Sequence, residues 1–272
     1  MTVTRIEPKK KLSLFEWKEI LEYRDLLYFL ALRDIQLRYK QTALGILWVV
    51  LQPLVPAIIF AILFGNFAKL PSNGQPYLLL VFSALIPWNL FSSSLGRAGG
   101  SLVGNANLLS KVYFPRVIVP MASLGSVIVD AMVSLGVLAV LMVIFQVAPG
   151  WHLLAAPLFL GAAFVIGLGA SLIVSSLNVY YRDFSFLIPF ALQAWNYISP
   201  VAYSAELIPE KWRWLYGLNP AAGFIEGFRW SILGSSALNN EMIISMCVAC
   251  IALIVIGFSV FRRVERGFAD IV

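Results

Sequence analysis

Residues 117–147 read VIVPMASLGSVIVDAMVSLGVLAVLMVIFQV, thirty-one positions with one ionisable side chain, Asp130. About 20 apolar residues carry a helix across the hydrocarbon core, so this stretch is long enough to span and to tilt. It lacks the period-two alternation of a membrane β-barrel strand. Five further apolar runs flank it, at 43–64, 77–95, 153–179, 186–202 and 242–261. The whole chain, 272 residues, is 60% hydrophobic and 12% charged, whereas soluble domains are nearer half apolar and a quarter charged. The reading is an all-α membrane protein with six transmembrane helices. Two cysteines exclude a disulfide scaffold, and the apolar content excludes disorder.

Basic residues orient the spans. Nine lie in 1–42, three in 96–116, one in 180–185 and three in 262–272, leaving four of the twenty for the opposite side. The positive-inside rule then places both termini in the cytoplasm of a multi-pass cytoplasmic (inner) membrane protein. The net charge of +6 is this asymmetry rather than a nucleic-acid signature. The chain divides into a cytoplasmic N-terminal region (1–42), a six-span domain (43–261) and a cytoplasmic tail (262–272).

Two segments outside the spans carry pattern. Residues 13–16 (SLFE) have the form of a capping box, beginning an amphipathic helix with Trp17, Ile20, Leu21, Leu27 and Tyr28 on one face. Lys18, Glu19, Glu22 and Asp25 lie opposite, and Arg24 sits within the apolar stripe. Such a helix suits either the membrane surface or the cytoplasmic ends of the protein's own spans. Between spans five and six, the outer segment 203–241 contains an apolar stretch, 212–233, interrupted by Arg213, Asn219–Pro220, Glu226 and Arg229. A seventh span there would carry Arg262, Arg263 and Arg266 outside. The better reading is a pair of re-entrant half-helices broken at 217–220, which requires protein or a watery cavity around the break.

Catalytic chemistry is missing. His152 is the single histidine and stands apart from any cysteine or carboxylate cluster, so no metal site or catalytic triad is expected. Cys247 and Cys250 form C-x-x-C inside a span, where thiolate chemistry is unfavourable. No phosphate-cradling G-x-x-x-x-G-K-[ST] occurs. Asp130 is the exceptional intramembrane acid: a functional group, or a group satisfied by a neighbouring helix. So few intramembrane charges argue against ion coupling and place any energy source on another chain. Trp48, Trp88, Phe91, Trp195, Tyr197 and Tyr203 cluster toward span ends. They fit an interfacial aromatic belt or, with Gln52, Asn89, Gln193, Asn196 and Ser199, the lining of a pore along which a hydroxyl-rich chain slides.

Three blocks, in order, carry a family likeness. The first is Asp34-Ile-Gln-Leu-Arg38-Tyr39-Lys40-Gln41, continuing through Gly45 and Trp48 to Gln52-Pro53. The second is Pro87-Trp88-Asn89-Leu-Phe91-Ser92 with Asn105-Ala-Asn107, Lys111, Phe114-Pro115-Arg116 and Pro120. The third is Asn178-Val-Tyr-Tyr181-Arg182-Asp183 with Gln193, Ser199-Pro200, Tyr203, Asn219-Pro220 and Arg229. The chain resembles the transmembrane subunit of ABC-2 type exporters, in the branch that moves O-antigen, capsular polysaccharide or teichoic acid. That resemblance implies a homodimer enclosing a channel for a polyprenyl-diphosphate-linked glycan. It also implies two copies of a cytoplasmic ATPase, which bind the ATP and magnesium, while this chain holds no cofactor and is no enzyme. It makes the N-terminal helix an interface helix and the 96–116 loop a coupling element, with Ser101, Asn105, Asn107 and Lys111, joined by Arg182 and Asp183, receiving the ATPase motion. Trp48, Trp88, Phe91, Trp195, Tyr197 and Tyr203 become substrate-channel residues. Arg97 and Arg116 are placed to meet lipid phosphates at the inner leaflet, where basic side chains attract headgroups. A drug or lipid permease of the same architecture, or a non-transporting scaffold of envelope assembly, are the competing readings.

Overall fold

The computed structural model describes residues 17–40, 47–109, 111–112, 114–234 and 238–265. The capping box at 13–16, the first residues of the first expected span (43–46) and the tail from 266 lie outside them.

Within lipid every backbone polar group must be satisfied inside the segment, and the described residues accordingly form helices and no strand. In chain order these are α1 (Trp17–Glu22), α2 (Arg24–Lys40), α3 (Leu47–Phe60), α4 (Tyr77–Gly104), α5 (Ala106–Leu109), α6 (Ile118–Ile144), α7 (Ala156–Tyr180), α8 (Phe184–Ile198), α9 (Glu210–Gly217), α10 (Pro220–Leu233) and α11 (Asn240–Glu265). A π-helical run, Ala61–Phe67, prolongs α3 beyond its two internal prolines, Pro53 and Pro56. Five stretches are long and apolar enough to cross a membrane: Leu47–Phe67, Tyr77–Gly104, Ile118–Ile144, Trp151–Tyr180 and Asn240–Glu265. This is a multi-pass membrane protein.

The expected span at 186–202 differs. Its helix, α8, has 15 residues, about 22 Å at 1.5 Å per residue, against a core of about 30 Å. Ser199 leaves helical geometry (ψ 155°) and the chain turns. The inner segment expected to begin at 96 also differs, because α4 continues unbroken to Gly104, where Asn105 ends it. The expected N-terminal helix is two, split at Tyr23, and the break changes the register. Leu21 and Tyr28, assigned to the packed face, are 61% and 60% exposed, while Ile20 and Leu30 are buried.

α4 is the hub. Its apolar window is 78% buried, against 17–44% for the other four long helices. α6, α7, α3 and α10 surround it. Small residues set the closest approaches. A Cβ on Gly99 would lie 2.8 Å from Val174 Cγ1, and one on Gly167 would lie 2.8 Å from Ser94 Cβ, so α4 and α7 run side by side in the same direction. Gly169 and Gly257 bring the backbones of α7 and α11 together, with a Gly169 Cβ only 2.5 Å from the Leu253 carbonyl carbon. A second core lies at the end of the bundle where α4 and α11 finish and α6 begins, with Ile20 and Leu30 packed against Leu102, Ile118, Leu172 and Phe261. The N-terminal helices thus pack one side against the protein's own helix ends, while Leu21, Tyr28, Phe29 and Leu37 remain exposed on the other.

Candidate functional site: an aromatic groove and two charged knots

α10 is built by local rules. Asn219 caps it, its side chain accepting from Ala221 N–H at 3.0 Å. Pro220 occupies the first turn, where its missing donor costs nothing. Gly234 (φ 66°) ends it in the left-handed conformation that glycine adopts without strain. The expected break at 217–220 falls between α9 and α10. Twelve of the fourteen α10 residues are buried, Glu226 and Arg229 among them.

Arg229 and Glu226 form an ion pair of 2.8 Å with side chains 1% and 2% exposed. The guanidinium donates to the carbonyls of Leu80 (3.2 Å), Tyr203 (3.3 Å), Pro200 (2.9 Å) and Val201 (3.2 Å) as well as to Glu226. Glu226 Oε1 also accepts from Ala205 N–H at 2.8 Å. All five N–H donors of the arginine are thereby engaged, and they tie the turn after α8 to α4 and α10. In the sequence these charges stand as an interruption of an apolar stretch and not among the candidate site residues. The signal was there: an acid and a base three apart on an otherwise apolar helix.

Beside this knot, Trp88, Phe91, Trp195 and Phe224 stack. Phe91 lies 5.2 Å from Trp195 and 5.7 Å from Phe224, and Trp88 lies 6.4 Å from Trp195. Offset and edge-on aromatic packing at these separations adds to simple burial. Trp195 Nε1 donates to Asn219 Oδ1 at 2.9 Å, and Asn219 Nδ2 to Ser199 Oγ at 3.1 Å. Of the six aromatics expected to line a path, Phe91 is fully buried and Trp88 nearly so. Trp88 and Tyr197 reach an open groove between α4 and α8, about 350 Å³, shared with Ser92, Ser93, Gln193 and Asn196. Tyr203 instead bonds to the carbonyls closing α8, Tyr197 (3.4 Å) and Ile198 (3.3 Å), and to Tyr216 (3.3 Å). Burial first, and then the Tyr203 bond, push the Tyr216 hydroxyl far above its usual range. Trp48 stands exposed on α3, away from the groove-lining set.

At the C-terminal end of α4, Ser101 is buried and donates to Ala98 carbonyl at 2.7 Å. Asn105 donates to Ser101 carbonyl at 2.9 Å and accepts from Arg33 Nη2 at 2.9 Å, and Arg33 in turn holds Asp34. The end of α4 is therefore linked to α2. Asn107 and Lys111 are exposed, as are Arg182 and Asp183 between α7 and α8. Gly99 against Val174 puts the two inner turns at the same end of the bundle.

The two arginines expected at lipid phosphates have protein partners. Arg116 donates its backbone N–H to Glu265 Oε1 (2.8 Å) and Nη1 to the Glu265 carbonyl (2.5 Å), fastening the start of α6 to the end of α11. Arg97 donates to Asp130 Oδ2 (2.5 Å) and Ser126 Oγ (2.8 Å). Asp130 also receives Arg38 Nη2 on the same oxygen at 2.8 Å, and Tyr39 hydroxyl on Oδ1 at 2.6 Å. Burial, reinforced by that bond, pushes the Tyr39 hydroxyl up to about 12. Asp130 thus has neighbouring-helix partners, from α2 and α4. Gln52, Asn89, Ser93 and Ser134 line a small cavity against it.

Known proteins share this sequence nearly end to end. It is 29% identical to the O-antigen export system permease protein RfbA of Klebsiella pneumoniae, over 91% of this chain and 95% of that protein. It is 24% identical to the protein of the same name from Myxococcus xanthus (93% and 97%) and 23% identical to the polysialic acid transport protein KpsM of Escherichia coli (88% and 93%). The ABC-2 type transporter family description matches residues 25–233, which hold the α4 hub, the groove and both charged knots. The chain belongs to the ABC-2 type transporter family.

Proposed function

We propose that this chain is the channel-forming transmembrane subunit of an ATP-driven exporter, moving a lipid-diphosphate-linked polysaccharide outward across the cytoplasmic membrane. The observation that carries it is the end-to-end similarity to permeases named for O-antigen export. The groove between α4 and α8 supports the cargo class: tryptophan and tyrosine rings with serine, glutamine and asparagine hold hydroxyl-rich chains without a fixed charge.

In this reading the chain crosses six times, with α8 as the fifth and shortest crossing and α9–α10 as a re-entrant pair on the outer side. Both termini are cytoplasmic. Two copies enclose the path, each closing the open side of the other's groove. The exposed apolar side chains of α8, among them Phe186 and Phe190, are suited to such a contact. Two copies of a separate ATPase, carrying ATP and magnesium, dock on the inner turns, where Asn107, Lys111, Arg182 and Asp183 are exposed. Asn105 relays that movement to α2 through Arg33.

Deleting the gene tests the reading. Surface polysaccharide should disappear while its lipid-linked form accumulates inside, and plasmid-borne Gln193→Leu/Asn196→Leu should restore it poorly. Full export in the deletion strain refutes the proposal.

A further inference from the structure

Arg229 shows how a purely structural arginine is housed here: nearly sealed, one acid, five hydrogen bonds. The second knot is built differently. Arg38 and Arg97 share one carboxylate oxygen; beyond it, among the described residues, Arg97 meets the Ser126 hydroxyl and Arg38 the neighbouring Tyr39 hydroxyl. Two guanidiniums offer ten N–H donors and, among the described residues, make four polar contacts between them. Arg38 Nε is buried with no acceptor. Among the described residues no second acidic group reaches either head, so the knot holds two positive charges against one negative. An uncompensated charge at this depth is costly, and buried charges are ordinarily paired.

Position and access narrow what completes it. Asp130 lies twelve residues beyond the start of α6, and Arg97 seven before the end of α4. These are about 18 and 10 Å along helices of about 40 Å, which outrun the hydrocarbon core by about 10 Å. The knot therefore sits toward the inner leaflet. Side chains of Arg38 and Arg97 remain 31% and 24% exposed, against 17% for Asp130. The adjoining cavity, about 30 Å³, has room for little more than a water, so the two guanidiniums are approached from their exposed edge. Paired guanidiniums present planar, bidentate donors suited to phosphate oxygens.

We propose that Arg38 and Arg97 form a phosphate-binding site in the inner half of the bundle, with Asp130 as an internal competitor that holds the site shut until a phosphate takes one of the two arginines. Because Arg38 belongs to α2 and Arg97 to α4, the exchange loosens α2 from α6. This rests on the export reading for its setting, where the phosphate is that of a lipid anchor, but the chemistry is that of any phosphate.

The full chain in phosphatidylcholine nanodiscs is titrated with a polyprenyl monophosphate, the corresponding polyprenol, and inorganic phosphate, following thermal stability and native mass. The phosphorylated lipid should bind and the polyprenol should not. Arg38→Gln should weaken binding at least tenfold, with helical content unchanged. Asp130→Asn, which releases both arginines, should tighten it several-fold. A structural ion pair predicts the opposite for that variant, lower stability with no gain in affinity. Arg97→Lys, which keeps charge but not the fork, should bind with intermediate affinity and serves if Asp130→Asn does not fold. Competition by millimolar inorganic phosphate identifies the isolated ion as sufficient; its absence, with lipid binding intact, identifies a lipid-borne phosphate. Equal binding of polyprenol and its phosphate, or unchanged affinity in Arg38→Gln, overturns the site. Either failure leaves the export reading standing, since that is decided by the deletion strain.

Discussion

Replacing Arg229 by methionine removes the centre of the outer knot and isolates what it contributes. Methionine fits the volume but accepts no part of the network. Glu226 stays behind as a buried carboxylate without Arg229, while the carbonyls of Pro200, Val201 and Tyr203 lose this donor and that of Leu80 keeps the Ser83 hydroxyl. Stripping one partner from a buried pair costs about 3–5 kcal/mol, and each orphaned acceptor adds about 1 kcal/mol where water does not replace the donor. Glu226→Gln is milder, because its amide oxygen still accepts from Ala205 N–H and the arginine keeps four carbonyls. About 1–2 kcal/mol is expected from the lost charge assistance. The assay is a double-mutant cycle in detergent, reading reversible unfolding by tryptophan fluorescence. Arg229→Met should cost at least 4 kcal/mol, and adding Glu226→Gln should recover 1–2 kcal/mol of it by removing the stranded charge. If Arg229→Met costs below 1 kcal/mol, or the double variant shows no recovery, the knot does not hold the turn after α8 to the bundle.

The α7–α11 contact admits no side chain, so Gly169→Leu should lower stability by about 3 kcal/mol or more through helix separation. Gly136→Ala in open space on α6 should raise stability by up to about 1 kcal/mol; equal melting temperatures for the two variants would contradict this packing. Because the folded Tyr39 hydroxyl is held up to about 12 against an ordinary 10, the unfolded chain loses its proton first as pH rises. The resulting stabilisation is complete below pH 10 and is lost between 10 and 12. Melting curves across that range should fall less steeply for Tyr39→Phe, and parallel slopes would disprove the assignment. Asn105→Ala breaks the Arg33 link between α4 and α2 and should cost about 1 kcal/mol, with amide exchange in α2 rising more than in α10.

Apolar run length marks the five long spans, and the cap-and-proline pattern at 217–220 marks the α9–α10 break, because both are local properties of the chain. The differences arise where tertiary contacts decide. Residues 96–104 carry Arg97 and four glycines, which reads as a loop. They stay helical because Arg97 finds Asp130 and Gly99 admits Val174. Residues 199–202 leave α8 because Pro200 disfavours helical geometry at Ser199, and the Pro200 and Val201 carbonyls so freed accept from Arg229, a partner that no local pattern announces. Asp130 could be singled out from one sequence, but not its partners, since Tyr39 lies 91 residues away and Arg97 lies 33. The aromatics shared a sequence signature and parted in the fold: Phe91 into the core, Tyr197 to the groove, Trp48 to the outer surface of α3.

The polar restraints also explain why the groove has unequal walls. α4 is tied near its outer end through the Leu80 carbonyl to Arg229, near its inner end through Arg97 to Asp130, and beyond that through Asn105 to Arg33. α8 has no buried residue. Among the described residues its side-chain hydrogen bonds to other elements gather at its outer end, at Trp195 and at the Tyr197 and Ile198 carbonyls that Tyr203 meets. Its inner end, at Arg182 and Asp183, is exposed. A helix fixed at one end and lightly packed along its length pivots about that end more readily than it slides. The α4 wall of the groove is therefore the rigid one, and displacement applied at Arg182–Asp183 changes the groove width most near the inner side and least at the aromatic stack.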